Sequence, residues 1–116
     1  MRKIFSKENV KDLEESLRKL ILKLVNEFKP LRIIATGSLA REEFVRGLSD
    51  VDILMVVDYQ IPKDKRFILT NIEDVDIEIT IVSLEELERT VKEGNRFYIE
   101  ALEHSITVYT STQDYG

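Results

Sequence analysis

Cysteine is missing from this chain, and histidine occurs once, at His104. The first absence excludes disulfides, thiolate nucleophiles and Cys-ligated zinc. The second excludes His-rich metal sites and the paired-histidine helix of zinc proteases. Any metal bound here would need oxygen ligands. Long apolar runs are missing too. The longest, Ile53 to Val57, has five residues, against the roughly 20 that a membrane-spanning helix needs, so no membrane partner is expected and the protein reads as cytoplasmic. Nor is there an excess of positive charge. Seventeen Lys+Arg against 22 Asp+Glu leave a net charge of −5, whereas coating a nucleic acid takes a basic face that displaces counterions from phosphates. Direct nucleic-acid binding is therefore not expected.

What is present suffices for a core and a solvated surface: 43% of residues are hydrophobic and 34% charged. Disorder is excluded on that balance, and 116 residues read as one domain over 1–116. Val10, Leu13, Leu17, Leu20, Ile21, Leu24, Val25 and Phe28 recur at spacings of three and four, the stripe of a helix buried on one face. The spacing predicts a helix over 7–28, with Ser6 as N-cap and Pro30 as stop. Strands are expected over Leu31–Thr36, Val51–Asp58, Val75–Val82 and Ile106–Tyr109. Between the first two, Leu39 to Phe44 reads as one or two helical turns. Ser83 followed by Glu86 forms a capping box, which starts a helix at Leu84 that runs toward Gly94 as its C′ residue. Asn95 caps a last helix through Glu103, with Phe97, Ala101 and Leu102 on its buried side. The segment 59–71, with Pro62 and the basic cluster Lys63, Lys65 and Arg66, fits a loop, a short helix or a hairpin arm.

Asp50 and Asp52 lie two residues apart at the head of a strand, so both carboxylates point to one face, about 7 Å apart along the chain. Their strand continues as an apolar run, which puts the acids at the rim of a buried strand. The strand 75–82 offers Asp76 and Glu78 on one face, with Asp74 just before it. If the two strands are neighbours, three or more carboxylates converge. Like charges that close repel by a few kcal/mol at an effective dielectric near 20, so such a cluster needs protons or cations. Carboxylates without nitrogen or sulfur suit Mg²⁺ or Mn²⁺. Either pair alone is equally what a capped turn or a wetted strand face looks like. Upstream, Gly37-Ser38 falls where a strand turns into a short helix, a place where backbone N–H groups and a hydroxyl can receive a phosphate. Arg41, one helical turn on, reaches toward the same anion. There is no P-loop and no Gly-x-Gly-x-x-Gly dinucleotide fingerprint.

Taken together, Gly37-Ser38, Ala40-Arg41 and Ser49-Asp50-Val51-Asp52-Ile53-Leu54 resemble the Gly-Ser…Asp-x-Asp signature of the DNA polymerase β nucleotidyltransferase superfamily. The small size and the motif's place after one helix resemble its minimal nucleotidyltransferases. Ser83-Leu84-Glu85-Glu86-Leu87 and Gly94-Asn95 resemble that group's C-terminal half. Two departures stand out: the connection from Ser38 to Asp50 is one residue longer than is typical, and Glu42 follows Arg41 where a glycine often stands. The resemblance implies an α/β (α+β) nucleotidyltransferase fold, a small mixed β-sheet flanked by helices. It also implies transfer of a nucleoside monophosphate, AMP from ATP first among them, to a hydroxyl. Asp50 and Asp52 would hold two Mg²⁺ (or Mn²⁺) ions with a third acid, Glu78 by its distance from the Ser83 cap, or else Asp76. Gly37, Ser38 and Arg41 would hold the phosphates. Minimal members are often antitoxins paired with a small helical HEPN-type ribonuclease, which is the expected partner. The competing readings are a nucleotide- or partner-binding module without turnover, favoured by the longer loop and Glu42, and a freestanding transferase acting on a small hydroxyl compound. His104 is expected at a helix end without a catalytic part, Tyr98 and Tyr109 in packing, and the 63–66 cluster in a solvated loop.

Overall fold

A computed structural model describes residues 11–45 and 48–111. The chain runs α1 (Lys11–Phe28), β1 (Arg32–Thr36), α2 (Gly37–Ala40), β2 (Val51–Val57), a 3₁₀ turn (Lys63–Lys65), β3 (Phe67–Ile72), β4 (Val75–Ser83), α3 (Leu84–Lys92), α4 (Arg96–Glu103) and β5 (Ile106–Thr110). The strands form one mixed sheet in the order β3-β4-β2-β1-β5. Only β2 and β4 pair in parallel; the other neighbours are antiparallel. This is the expected mixed sheet with helices.

Alternation along the strands divides the side chains between two cores. On one face, Leu13, Leu17, Ile21 and Leu24 of α1 pack on Ile33, Ile53, Met55, Ile77 and Ile79, so the periodic stripe is buried as its spacing requires. The helix stops where Lys29 turns left-handed, at φ 49°, before Pro30. The expected cap Ser6 and the first stripe residue Val10 lie outside the described residues. On the other face, Ile34, Leu54, Val56 and Val82 meet Leu87 of α3, with Tyr98, Ala101 and Leu102 of α4 against them. No helix of the described residues is long and apolar enough to cross a membrane.

Several expectations need correction, and one segment left open takes a definite form. The short helix occupies Gly37–Ala40 rather than 39–44; it cannot continue because Glu42 sits at φ 62°, which breaks helical geometry. The capping box is half-made. Ser83 Oγ accepts from Glu86 N at 3.1 Å, but the Glu86 carboxylate is taken by Arg66 at 2.6 Å, so Arg66 belongs to the framework while Lys63 and Lys65 stay exposed. Segment 59–71 resolves into the 3₁₀ turn followed by strand β3. Phe97 is not on the buried side of α4: it is 59% exposed, because α4 meets the sheet through Tyr98, Ala101 and Leu102. Elsewhere the boundaries agree closely. Gly94 takes φ 87° behind α3, Asn95 Oδ1 accepts from the N–H groups of Phe97 and Tyr98, and His104 closes α4.

Candidate functional site

The register of three strands builds the site. Thr36 pairs with Asp52, Asp52 with Glu78 and Glu78 with Leu69, so these four residues form one row across the sheet. Directly paired residues point to the same side. Their side is the one shared with Leu54 and Val82, under α3 and α4, but α4 covers the sheet only farther along, and the acidic row lies open. The two acids that sequence spacing leaves on separate strands are thus neighbours in space.

Gly37 stands directly over this row. It adopts φ 65°, and a Cβ placed on it would overlap Asp52 Oδ2. Glycine is required here on both counts: the left-handed backbone and the close approach of a carboxylate. Gly37, Arg41, Asp52 and Glu78 line one open cleft of about 260 Å³. Ser38 does not line it; its hydroxyl donates to the Asp50 carbonyl at 3.4 Å and so ties the bend to the entry of β2. Glu42, the charge expected beside the phosphates, is also absent from the lining. A four-residue helix has little macrodipole, so the positive charge facing the cleft is that of Arg41.

Asp50 opens onto a second cleft, of about 340 Å³, with Asp76, Asn71, Thr70 and Leu69. Glu78 lines both clefts and forms the wall between them. Asp76 lies on the second side only, away from Gly37 and Asp52. Burial and then the charge of Asp50 raise the Asp52 carboxyl above its ordinary value. Glu78 is also raised, by desolvation first, then by its hydrogen bond to the Asp50 carboxyl and the charges of Asp52, Asp50 and Asp76. Glu78 is therefore within electrostatic reach of Asp50, Asp52 and Asp76, and Asp52 within reach of Asp50, charges that oppose ionisation of the Asp52 and Glu78 carboxyls.

As placed, no three acidic or imidazole side chains among the described residues close into a set that could hold a metal ion unaided. Mg²⁺ typically takes one or two carboxylates and completes its shell with water and substrate phosphates. The donors are all oxygen, they repel one another, and they adjoin an arginine and a glycine bend. The residues fit a divalent cation shared with a phosphate.

The sequence reading missed the far end of the first cleft. In the row beyond the acids, Phe67 pairs with Thr80 and Thr80 with Leu54. Phe67, Thr80, Phe97 and Glu100 line the same cleft as Glu78. Phe67 and Leu69 alternate with Ile68 and Thr70, but both sets contain apolar residues, so period alone does not say which set faces out. Helical spacing turns Phe97 inward because it cannot locate the sheet beneath.

The nucleotidyltransferase domain family matches residues 17–113, a span that takes in every element of the sheet. Among curated proteins none matches the sequence. Of solved structures, a nucleotidyltransferase-like protein from Exiguobacterium sibiricum 255-15 superposes with a TM-score of 0.62 at 12% identity, over 88% of this chain. This chain spans only 35% of that protein. A candidate nucleotidyltransferase from Sulfolobus solfataricus gives a TM-score of 0.57 at 14% identity and covers 97% of this chain and 94% of its own. At such identities the superpositions speak for the fold.

Proposed function

Because the chain belongs to the nucleotidyltransferase domain family, we propose that it moves a nucleoside monophosphate from a nucleoside triphosphate, ATP first among them, to a hydroxyl on a partner protein. The observation that carries this reading is the row Asp52–Glu78 lying beneath the Gly37 bend and sharing a cleft with Arg41. Asp50, Asp52 and Glu78 would hold Mg²⁺ or Mn²⁺, two ions in all, which neutralise phosphate charge and acidify the attacking hydroxyl when bound. Glu78 is the preferred third acid over Asp76, since it faces both clefts. Arg41 and the Gly37 backbone bind the β- and γ-phosphates, while Ser38 acts by anchoring the bend to β2.

In the transfer, the acceptor oxygen bonds to the α-phosphorus, the bond from that phosphorus to the β-phosphate oxygen breaks, and pyrophosphate departs with the electron pair. The hydroxyl's proton passes to Glu78. Positioning and charge stabilisation are the whole task, and no covalent enzyme intermediate is required. The acceptor enters by the second cleft, on the far side of Glu78 from the phosphate groups. Leu48, 86% exposed, and Leu69, 69% exposed, flank the acids and give a macromolecular acceptor apolar surface to rest on. A small helical HEPN-type protein in the cytoplasm, with this chain as its antitoxin, is the partner class we put first. The longer connection from Ser38 to Asp50 and the glutamate at position 42 favour one rival, a binding module that recognises nucleotide or partner without turnover.

The test incubates the protein with Mg²⁺, α-labelled ATP and the co-encoded partner. Label is expected on the partner, and Asp52→Asn should reduce its transfer by roughly a hundredfold or more, the scale for losing one transition-state stabiliser. A stable complex that never acquires label, with ATP or any other nucleotide, would leave the binding module as the answer.

A further inference from the structure

Two exposed aromatic side chains line the cleft assigned above to the phosphates, and neither belongs to either core. Phe67, at the head of β3, is 53% exposed and Phe97, in the first turn of α4, is 59% exposed. Exposed phenylalanines cost solvation, and here the backbone beside each is anchored. Arg66, beside Phe67, is bonded to Glu86 at 2.6 Å and to the Ile61 carbonyl at 3.4 Å. The Phe97 ring meets Tyr98 edge-on, with centroids 5.0 Å apart and planes at 83°, and its backbone N–H is capped by Asn95 at 3.0 Å. Phe67 adjoins Thr80, one row beyond the Asp52–Glu78 row. One cleft thus holds an arginine and a glycine bend, two acids and, with Phe67 one row beyond the acids, two aromatic rings. These are counterparts for the parts of a nucleoside triphosphate: its phosphates, the cations they carry and its ring.

On this geometry, and resting on the transferase reading above, we propose that Phe67 and Phe97 are the stacking surface for the nucleobase. Every base has a π-face, so stacking supplies affinity with little regard for base identity. The polar side chains lining that end are Thr80 and Glu100, and Glu100 is already paired with Arg96 at 3.2 Å. With few hydrogen-bonding groups to read a base edge, the site accepts all four nucleotides, purines ahead of pyrimidines because they offer the larger ring.

The experiment measures equilibrium binding of ATP, GTP, CTP, UTP and inorganic tripolyphosphate to the full chain at fixed Mg²⁺, for the wild type, Phe67→Ala, Phe97→Ala and Phe97→Tyr. Each alanine variant is expected to lose about 5- to 150-fold in affinity for the nucleotides, the range for one stacked base, with tripolyphosphate unchanged and Phe97→Tyr near wild type. Because both rings are exposed, melting temperatures should not fall. Nucleotide affinities unchanged in both alanine variants, or tripolyphosphate lost in parallel, would overturn the stacking surface and leave the transferase reading intact. A wild-type preference among the four nucleotides above about tenfold would overturn base tolerance, since that needs an edge-reading contact worth about 1.4 kcal/mol. A wild type that binds none of the five probes removes both readings together.

Discussion

The two faces of the sheet come from the same strands, yet they live in different solvents. On the face under α1, Ile53, Ile77 and Ile79 are buried within one apolar cluster. One residue away in each case, Asp52, Glu78 and Thr80 look into an open cleft. The sealed face supplies the rigidity that holds the open face to its register. Burying each of its large side chains contributes roughly 1.5–3 kcal/mol, and the acids spend part of that through mutual repulsion. A single-residue slip between β2 and β4 would exchange the two sets, placing carboxylates in the core. Register is therefore what keeps the acids in the cleft.

The contrast can be broken at adjacent positions. Ile77→Asp places an unpaired carboxylate under α1, at a cost of several kcal/mol, and should leave the chain without native circular dichroism. The same change in chemistry is already tolerated at position 78. A folded Ile77→Asp protein would show that the α1 face is wetter than its burial says. A smaller effect is expected at Ser83→Ala, which removes the cap of α3 and with it part of the cover on the open side. About 1 kcal/mol should be lost, read as a lower urea midpoint with unchanged slope.

The smallest effect reverses sign. Asp52 is raised by burial and by Asp50, so the folded chain holds the Asp52 proton more tightly than the unfolded chain does. Stability linked to this group is fully present below its unfolded pKa and is lost as pH rises through the folded one. Asp52→Asn should therefore be slightly more stable than wild type at neutral pH without metal, and the gain should vanish on acidification. Glu78, raised by desolvation first and then by Asp50, Asp52 and Asp76, should behave alike in Glu78→Gln. Urea unfolding of each pair at neutral and acidic pH checks both, and a variant less stable at neutral pH would mean that the carboxylate is paired rather than repelled.

Much of this was legible beforehand because it depends on short-range spacing. The α1 stripe, the period-two alternation around Ile77, Ile79 and Ile81, the Ser83 and Asn95 caps and the left-handed Gly94 all act within a few residues. The half-made capping box was not legible, since Arg66 comes from 20 residues away in the chain to claim Glu86. Nor was the outward turn of Phe97, whose helix has an apolar residue on more than one side.

From its residues alone, the chain determined which oxygen-bearing and cationic side chains sit at the ends of its strands: two aspartates at a strand's head, further acids on a later strand, and a Gly-Ser bend with an arginine. Local geometry suffices for that, because backbone alternation sets the face on which each acid lies. Tertiary structure decided that Glu78, rather than Asp76, shares a cleft with Asp52, that Ser38 turns to the Asp50 carbonyl, and that Phe67 and Phe97 border one opening. Those outcomes depend on pairing between strands far apart in the chain and on where a helix comes to rest, and no spacing along the sequence encodes either.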